Sequence, residues 1–355
     1  LTLAFTTSGR DAAEESIEAR LLFIIAPPRS GSTLLMRVLS AHSQIYSRPE
    51  PHLLGPLAHL GYFATVDAAP FDQHQAASAI RTLVADLPNG EADYVDACRA
   101  YVDIIYGRLL AARGEGKTFF LDKTPANALV LPFITKLFPQ AHYIVLARHP
   151  AAIFSSYANS FFAGDFAAAH HFNPILERYI PAMAWLMRHQ QVPLLHVAYE
   201  DFVAEPDAQA RRMCSFLGLE FEPTMIDYGA HGHGQRGLGD PLTVDRESRP
   251  VPTSVDKWVA ELAADRSKLE LVQGMLATID PKDLETWGYP HGELFAALRR
   301  PRSDTHESRR WRLPQFQRFL WERRLLHWLR RDIETSTFGR WVRRLRSLCD
   351  ILLRR

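Results

Sequence analysis

The stretch Leu21-Leu-Phe-Ile-Ile-Ala-Pro-Pro-Arg-Ser-Gly-Ser-Thr33 decides the fold. It opens as an apolar run, Leu21 to Ala26, stopped by Pro27-Pro28. An apolar run of this length without polar alternation is the pattern of a strand buried on both faces, as in a parallel sheet. Gly31 to Ala41 then reads as a helix. A strand–turn–helix aims several backbone N–H groups and the positive helix end at one point, which suits an anion. Gly31 lets the backbone come close to that anion. Ser30, Ser32 and Thr33 supply hydroxyls, and Arg29 supplies a fixed charge able to hold phosphate through two hydrogen bonds. On this segment alone, a helix cap with an incidental Arg remains an alternative.

Outward from this unit the alternation continues. Thr118–Leu121, His142–Ala147 and Pro193–Val197 read as further strands. Residues 92–112 carry helical periodicity, and Asn127–Phe138, the segment from Pro150, Leu176–His189 and Glu205–Leu217 read as helices, the last stopped by Gly218. Residues 50–90 read as irregular and helical, and 229–253, rich in Gly and Pro, as a long ordered loop. The pattern predicts an α/β fold, a P-loop-like parallel sheet with helices on both faces. Residues 1–20 form a polar lead-in, 21–298 the domain, and 299–355 a separate tail.

The tail stands apart by charge. Residues 299–355 hold 17 Arg, no Lys and six acidic residues, a net +11, whereas the remainder carries 24 basic and 34 acidic residues, a net −10. The 355 residues, 47% hydrophobic and 23% charged, are otherwise ordinary for a globular chain with a sizeable core. Cys98, Cys214 and Cys349 are too few and too far apart for a disulfide framework or a zinc site, so a reducing, cytoplasmic setting is expected. The early apolar run is too short to span a bilayer, and no signal peptide is expected. The start at Leu1 is read as that of a processed chain or one excised from a longer polypeptide.

A second anion site is suggested where the third of these strands ends in Arg148-His149-Pro150, with Ser156 eight residues after Arg148. If the helix begins at Pro150, Ser156 can face the strand end. Taken alone, an Arg salt bridge and an ordinary helix Ser explain the pair as well. A kinase or nucleotide-hydrolysing loop needs G-x-x-x-x-G-K-[S/T], and here the first glycine and the lysine are both missing. Asp122 keeps an ATP-Mg²⁺ reading open as a metal ligand at a strand end.

Taken together, these segments resemble the sulfotransferases that use 3′-phosphoadenosine 5′-phosphosulfate (PAPS). The matching pieces, in order, are Pro28-Arg29-Ser30-Gly31-Ser32-Thr33, Asp122-Lys123-Thr124-Pro125, Arg148 with Ser156, Tyr199-Glu200-Asp201 and Phe216-Leu217-Gly218-Leu219. The resemblance implies that Arg29, Ser30, Gly31, Ser32 and Thr33 hold the 5′-phosphosulfate. It implies that Arg148 and Ser156 hold the 3′-phosphate and that Tyr199 lies near the adenine. Arg236-Gly237-Leu238-Gly239-Asp240 resembles a shortened form of the family's late glycine-rich loop over the 3′-phosphate.

The departures narrow the resemblance. Cytosolic steroid and phenol sulfotransferases have Lys in the first loop and a Trp five residues on, where this chain has Arg29 and Leu34. Their catalytic His follows a Lys-Thr pair, and here Pro125 follows Lys123-Thr124. The tyrosylprotein sulfotransferases use Arg in the first loop and a downstream Glu base, and Glu50 falls 21 residues after Arg29. Ser47-Arg48-Pro49-Glu50-Pro51-His52-Leu53-Leu54, Gly239-Asp240-Pro241 and Asp256-Lys257-Trp258 are similar to the sulfotransferase domains of olefin-forming polyketide synthases. Those domains act on a β-hydroxyacyl chain held by an acyl carrier protein, and theirs is the nearest resemblance in this reading.

Sulfonate transfer needs a base for the acceptor hydroxyl, positive charge for the sulfonate and the departing phosphate, and in-line placement. The base is assigned to Glu50, with His52 next, while Lys123 and Arg29 neutralise the leaving group. No metal is required. His170-His171 and His231-x-His233 read as solvated or acceptor-lining, since no third ligand accompanies them. The reading is thus a sulfotransferase acting from PAPS, with 3′-phosphoadenosine 5′-phosphate (PAP) as product, on a hydroxyl acceptor that is lipid-like or a carrier-bound acyl chain. The competing readings are a P-loop kinase and a non-catalytic nucleotide-binding adaptor at a membrane. In the tail, Arg mixes with Trp311, Phe316, Phe319, Trp321, Trp328, Phe338 and Trp341, the composition of an interfacial amphipathic helix. It reads as a helical cap on the acidic body, or as a dock for an anionic membrane surface or an acyl carrier protein. Nucleic acid is the least expected partner of an acidic body.

Overall fold

The computed structural model describes residues 16–66, 72–189, 191–230 and 248–299. Five strands form one all-parallel sheet in the order β2-β3-β1-β4-β5: β1 Leu21–Ile25, β2 Ile45–Pro49, β3 Phe119–Lys123, β4 His142–Ala147 and β5 Leu194–Ala198. The helices in chain order are α1 Ser32–Ser40, α2 Leu54–Ala58, α3 Gln73–Ala85, α4 Glu91–Arg113, α5 Leu131–Leu137, α6 Pro150–Phe161, α7 Phe166–Phe172, α8 Ile175–His189, α9 Tyr199–Ala204, α10 Pro206–Leu217, α11 Lys257–Ala264, α12 Arg266–Ala277 and α13 Pro281–Thr286.

Strand β1 is central and every one of its side chains is fully buried. Its residues alternate between two cores, as the strand period dictates. Leu21, Phe23 and Ile25 pack with residues of α4, α5, α6 and α8 on one face, and Leu22 and Ile24 with residues of α1, α9 and α10 on the other. A strand wetted on neither face can be apolar throughout, which is why the run carries no alternation.

Chain order reverses at β1, whose neighbours β3 and β4 lie on opposite sides. In such sheets the crevice beyond the carboxyl ends of the strands receives ligands. Register levels those ends. Pro49 of β2 pairs with Lys123 of β3, and Ala147 of β4 with Ala198 of β5. Glu50 therefore emerges beside Lys123, and Arg148 opposite Tyr199.

The structure corrects several details of the sequence reading. Strand β2 was not expected. It is a short edge strand ending in Pro49, a residue that edge strands tolerate. The helix expected over Asn127–Phe138 is two pieces, a 3₁₀ turn at Pro125–Leu129 and α5, because the chain restarts at Val130 to set Pro132 in a first turn. His170 and His171 lie in the last turn of α7 rather than in a loop, and His170 pairs with Glu177 at 2.6 Å. Ile17, within the lead-in, is 3% exposed and belongs to the core. Of the loop expected over 229–253, the flanks meet through Gly229 N–H donating to Ser248 O at 3.1 Å. Residues 231–247, with His231, His233, Arg236 and Gly237, and the tail beyond Arg299 lie outside the described residues. Among the described residues no helix is long and apolar enough to cross a membrane.

Candidate active site

The loop after β1 is a tight turn. Ser30 Oγ donates to Pro27 O at 2.9 Å, and Arg29 and Gly31 take φ of 69° and 94°. Arg29 is not a glycine, so this backbone is strained and held by its surroundings. Gly31 is needed for a second reason, since a Cβ there would lie 2.4 Å from Tyr199 Cε2. No side chain caps the N-terminus of α1, so its first turn opens onto the crevice with its positive end.

The carboxyl ends of β2 and β3 contribute an ion pair. Lys123, 1% exposed, directs Nζ to Glu50 Oε1 at 2.6 Å and lies 3.5 Å from Thr33 Oγ1. A buried ammonium is stable only with such a partner. The other carboxylate oxygen, Glu50 Oε2, is 3.3 Å from His52 Nε2, and the His52 side chain is 45% exposed. Glu50 and His52 adopt φ of 22° and 53°. The His52 N–H points to Thr124 Oγ1 at 3.5 Å, and that hydroxyl donates to Asp122 Oδ1 at 2.8 Å. Both sequence candidates for the base and both candidate cations thus border one crevice, Lys123 touching Glu50 and the α1 turn together.

Asp122 points the other way. It is fully buried and accepts from Tyr106 Oη at 2.7 Å and Asn127 Nδ2 at 3.2 Å as well as from Thr124. Burial pushes its carboxyl above the ordinary range, although these hydrogen bonds oppose the shift. A carboxylate enclosed in this way holds the 122–125 turn and is not a metal ligand, which removes the ATP-Mg²⁺ expectation placed on it.

The ends of β4 and β5 make the second half. Arg148 is buried, and burial lowers its guanidinium pKa from the ordinary value. Its Nη1 donates to Arg29 O at 2.9 Å, its Nη2 donates to Ser254 O at 2.9 Å, and its plane lies 4.3 Å over the Tyr199 ring. Its Nε is buried with no hydrogen-bond partner among the described residues. Tyr199, 5% exposed, is packed against Gly31 and beneath Arg148, with its hydroxyl 2.7 Å from Ser254 Oγ. Ser156, set by the resemblance on the same phosphate as Arg148, meets Arg29 of the first loop. Its hydroxyl accepts from Arg29 Nε at 3.2 Å, because α6 carries it toward the first loop. Ser254 was missed altogether, and no local pattern marks it.

The sequence profile of the sulfotransferase family matches residues 22–223. This chain belongs to the sulfotransferase family. The matched region carries all five strand ends and every site residue expected up to Tyr199. The nodulation protein NoeE of Sinorhizobium fredii is 29% identical over 277 residues, covering 69% of this chain and 61% of NoeE. Protein-tyrosine sulfotransferase A of Caenorhabditis elegans is 22% identical over 256 residues, covering 69% of this chain and 62% of that protein. The chain spans about three fifths of the length of these two relatives. Among solved structures, the sulfotransferase domain of the Synechococcus PCC 7002 olefin synthase is similar, with 26% identity and a TM-score of 0.45 over 73% of this chain and 95% of that domain.

Proposed function

We propose that this sulfotransferase moves the sulfonate of PAPS onto the hydroxyl of a lipid-like or carrier-bound acyl chain. The observation that carries the reading is the Lys123–Glu50 pair beside the α1 turn, which joins a base to an anion cradle across 2.6 Å. The residues suit such a donor. The unspent donor at Arg148 Nε and the uncapped α1 turn support two separate anion contacts, as a nucleotide phosphorylated at both ends requires.

The bound donor supplies a sulfur whose bond to the 5′-phosphate oxygen breaks as the acceptor oxygen bonds to it. Arg29, Ser30, Gly31, Ser32 and Thr33 hold the 5′ end, while Arg148 takes the 3′-phosphate, for which the resemblance also names Arg236 and Gly237. Tyr199 braces Gly31 and Arg148 from below, and Ser156 orients Arg29. Glu50 accepts the acceptor's hydroxyl proton, and His52, touching the second carboxylate oxygen and half exposed, passes it to solvent. Lys123 bridges Glu50 and Thr33 of the turn and neutralises charge gathering on the departing phosphate. The balance is alcohol plus PAPS giving sulfate ester, PAP and a proton, the proton leaving through Glu50.

The test compares PAP with AMP, which differ only in the 3′-phosphate. The wild-type chain should prefer PAP, and Arg148→Ala should reduce that preference by roughly 10- to 150-fold, the worth of charge-assisted hydrogen bonds. Equal affinity of the wild type for PAP and AMP, or PAPS left unconsumed across a panel of hydroxyl acceptors, would remove the reading.

A further inference from the structure

Arg148 and His149 are the two residues between the end of β4 and the first residue of α6, so their peptide planes aim the arginine. Both are gripped by a segment far along the chain. The carbonyl of Arg148 accepts from Trp287 Nε1 at 3.0 Å, and Trp287 is fully buried. The side chain of Arg148 donates to Ser254 O. His149 stacks on Trp258 with ring centroids 4.1 Å apart and planes 14° from parallel. Its Nε2 donates to Leu294 O at 2.8 Å, and Tyr289 packs edge-on against it at 5.4 Å. The ends close through Glu200, which accepts from the His149 N–H at 3.1 Å on one oxygen and from the Tyr289 hydroxyl on the other. All the gripping residues except Glu200 lie between 254 and 294, beyond the region matched by the family profile.

A buried indole N–H must find an acceptor, and few side chains satisfy one. Here the acceptor is the main chain of Arg148, a buried cation of the site. The grip holds Arg148 from its backbone carbonyl and from Nη2 at once, and an arginine fixed at both ends loses little freedom on meeting an anion.

We propose that residues 254–294 form a clasp in which Trp287 is the positioning residue for Arg148, presetting it for the 3′-phosphate. The proposal rests on the assignment of Arg148 given above. Trp287 touches no substrate and acts only through Arg148. Its loss therefore weakens binding of a 3′-phosphorylated nucleotide and spares one that lacks that group.

The experiment measures PAP and AMP affinities by calorimetry for the wild type, Trp287→Phe, Arg148→Ala and the double variant. Trp287→Phe keeps an aromatic ring and deletes the N–H. It should weaken PAP by roughly two- to tenfold, the worth of one neutral hydrogen bond, and leave AMP unchanged. In the Arg148→Ala background the same change should cost nothing further. An equal loss for both nucleotides, or none for either, overturns the clasp as a positioning element while the assignment of Arg148 stands. If Arg148→Ala leaves the preference for PAP intact, the assignment fails and the clasp with it. Should Trp287→Phe not melt cooperatively, Tyr289→Phe, which deletes only the hydroxyl held by Glu200, makes the same comparison with the same outcomes.

Discussion

Glu50 stands where three constraints meet. Its backbone is bent into positive φ, one carboxylate oxygen is tied to Lys123 and the other faces His52. Among the described residues, Arg29, Glu50 and His52 are three of the five non-glycine residues with positive φ, and all three border the crevice. Each such residue costs on the order of 1–3 kcal/mol and persists only where the surroundings over-determine it. Glu50→Gln keeps the size and an oxygen for Lys123 but removes the proton acceptor. Turnover with PAPS should fall by roughly 10² to 10⁴ while PAP binding stays nearly unchanged. Retention of activity in Glu50→Gln with its loss in His52→Ala would exchange the two roles. Glu50 was legible only through its distance from Arg29 in a family pattern, since a carboxylate between two prolines looks like any loop residue. Lys123 was legible from its place directly after an apolar strand. Ser254 and Trp287 were not, because their partner Arg148 lies more than 100 residues earlier and nothing local encodes the meeting.

At the scale of elements, β1, β3 and β4 announce themselves as apolar runs because their residues are buried almost throughout, and the edge strand β5, though partly exposed, still reads from Leu194, Leu195 and Val197. Strand β2 does not. Its sequence Ile-Tyr-Ser-Arg-Pro buries Ile45 fully and leaves Tyr46, Ser47 and Arg48 partly exposed at the sheet edge, so no run forms. The clasp between β4, α6 and the 254–294 segment has its own signature in acid. Burial holds the His149 pKa down to about 4 from an ordinary 6.5, opposed by the Leu294 carbonyl and aided by the charge of Arg148. Glu200 and Tyr289 are the other titratable groups against it. A depressed His is neutral in both states above pH 6.5. Between 6.5 and 4 the unfolded chain takes the proton and the folded one does not, so stability falls as pH falls, by on the order of 3 kcal/mol for this group. Urea midpoints from pH 7 to pH 4 should therefore drop more steeply for the wild type than for His149→Gln. The other buried groups are common to both proteins and cancel. Parallel curves would show that His149 is not held neutral by the clasp.

Over the whole molecule, charge is divided between an acidic body and a tail from 299 to 355 with net +11. Both cores that close on the sheet are assembled, among the described residues, from residues no later than Leu298, and the crevice from residues no later than Ser254. Cofactor binding is therefore expected not to need the tail. What the tail offers is 17 Arg interleaved with Trp and Phe, suited to an acidic surface. Near an anionic surface each Arg contributes about 1 kcal/mol, and the attraction fades beyond a screening length of about 8 Å at physiological salt. Truncation after Pro301 should leave PAP affinity intact, weaken binding to phosphatidylserine-containing vesicles or to an acyl-carrier-linked acceptor, and abolish the salt dependence of that binding. The vesicle and carrier arms separate the two partners, since only the partner the tail serves should lose affinity. Loss of PAP binding or of cooperative melting on truncation would instead make the tail a cap that completes the body, with its arginines facing the acidic surface from within.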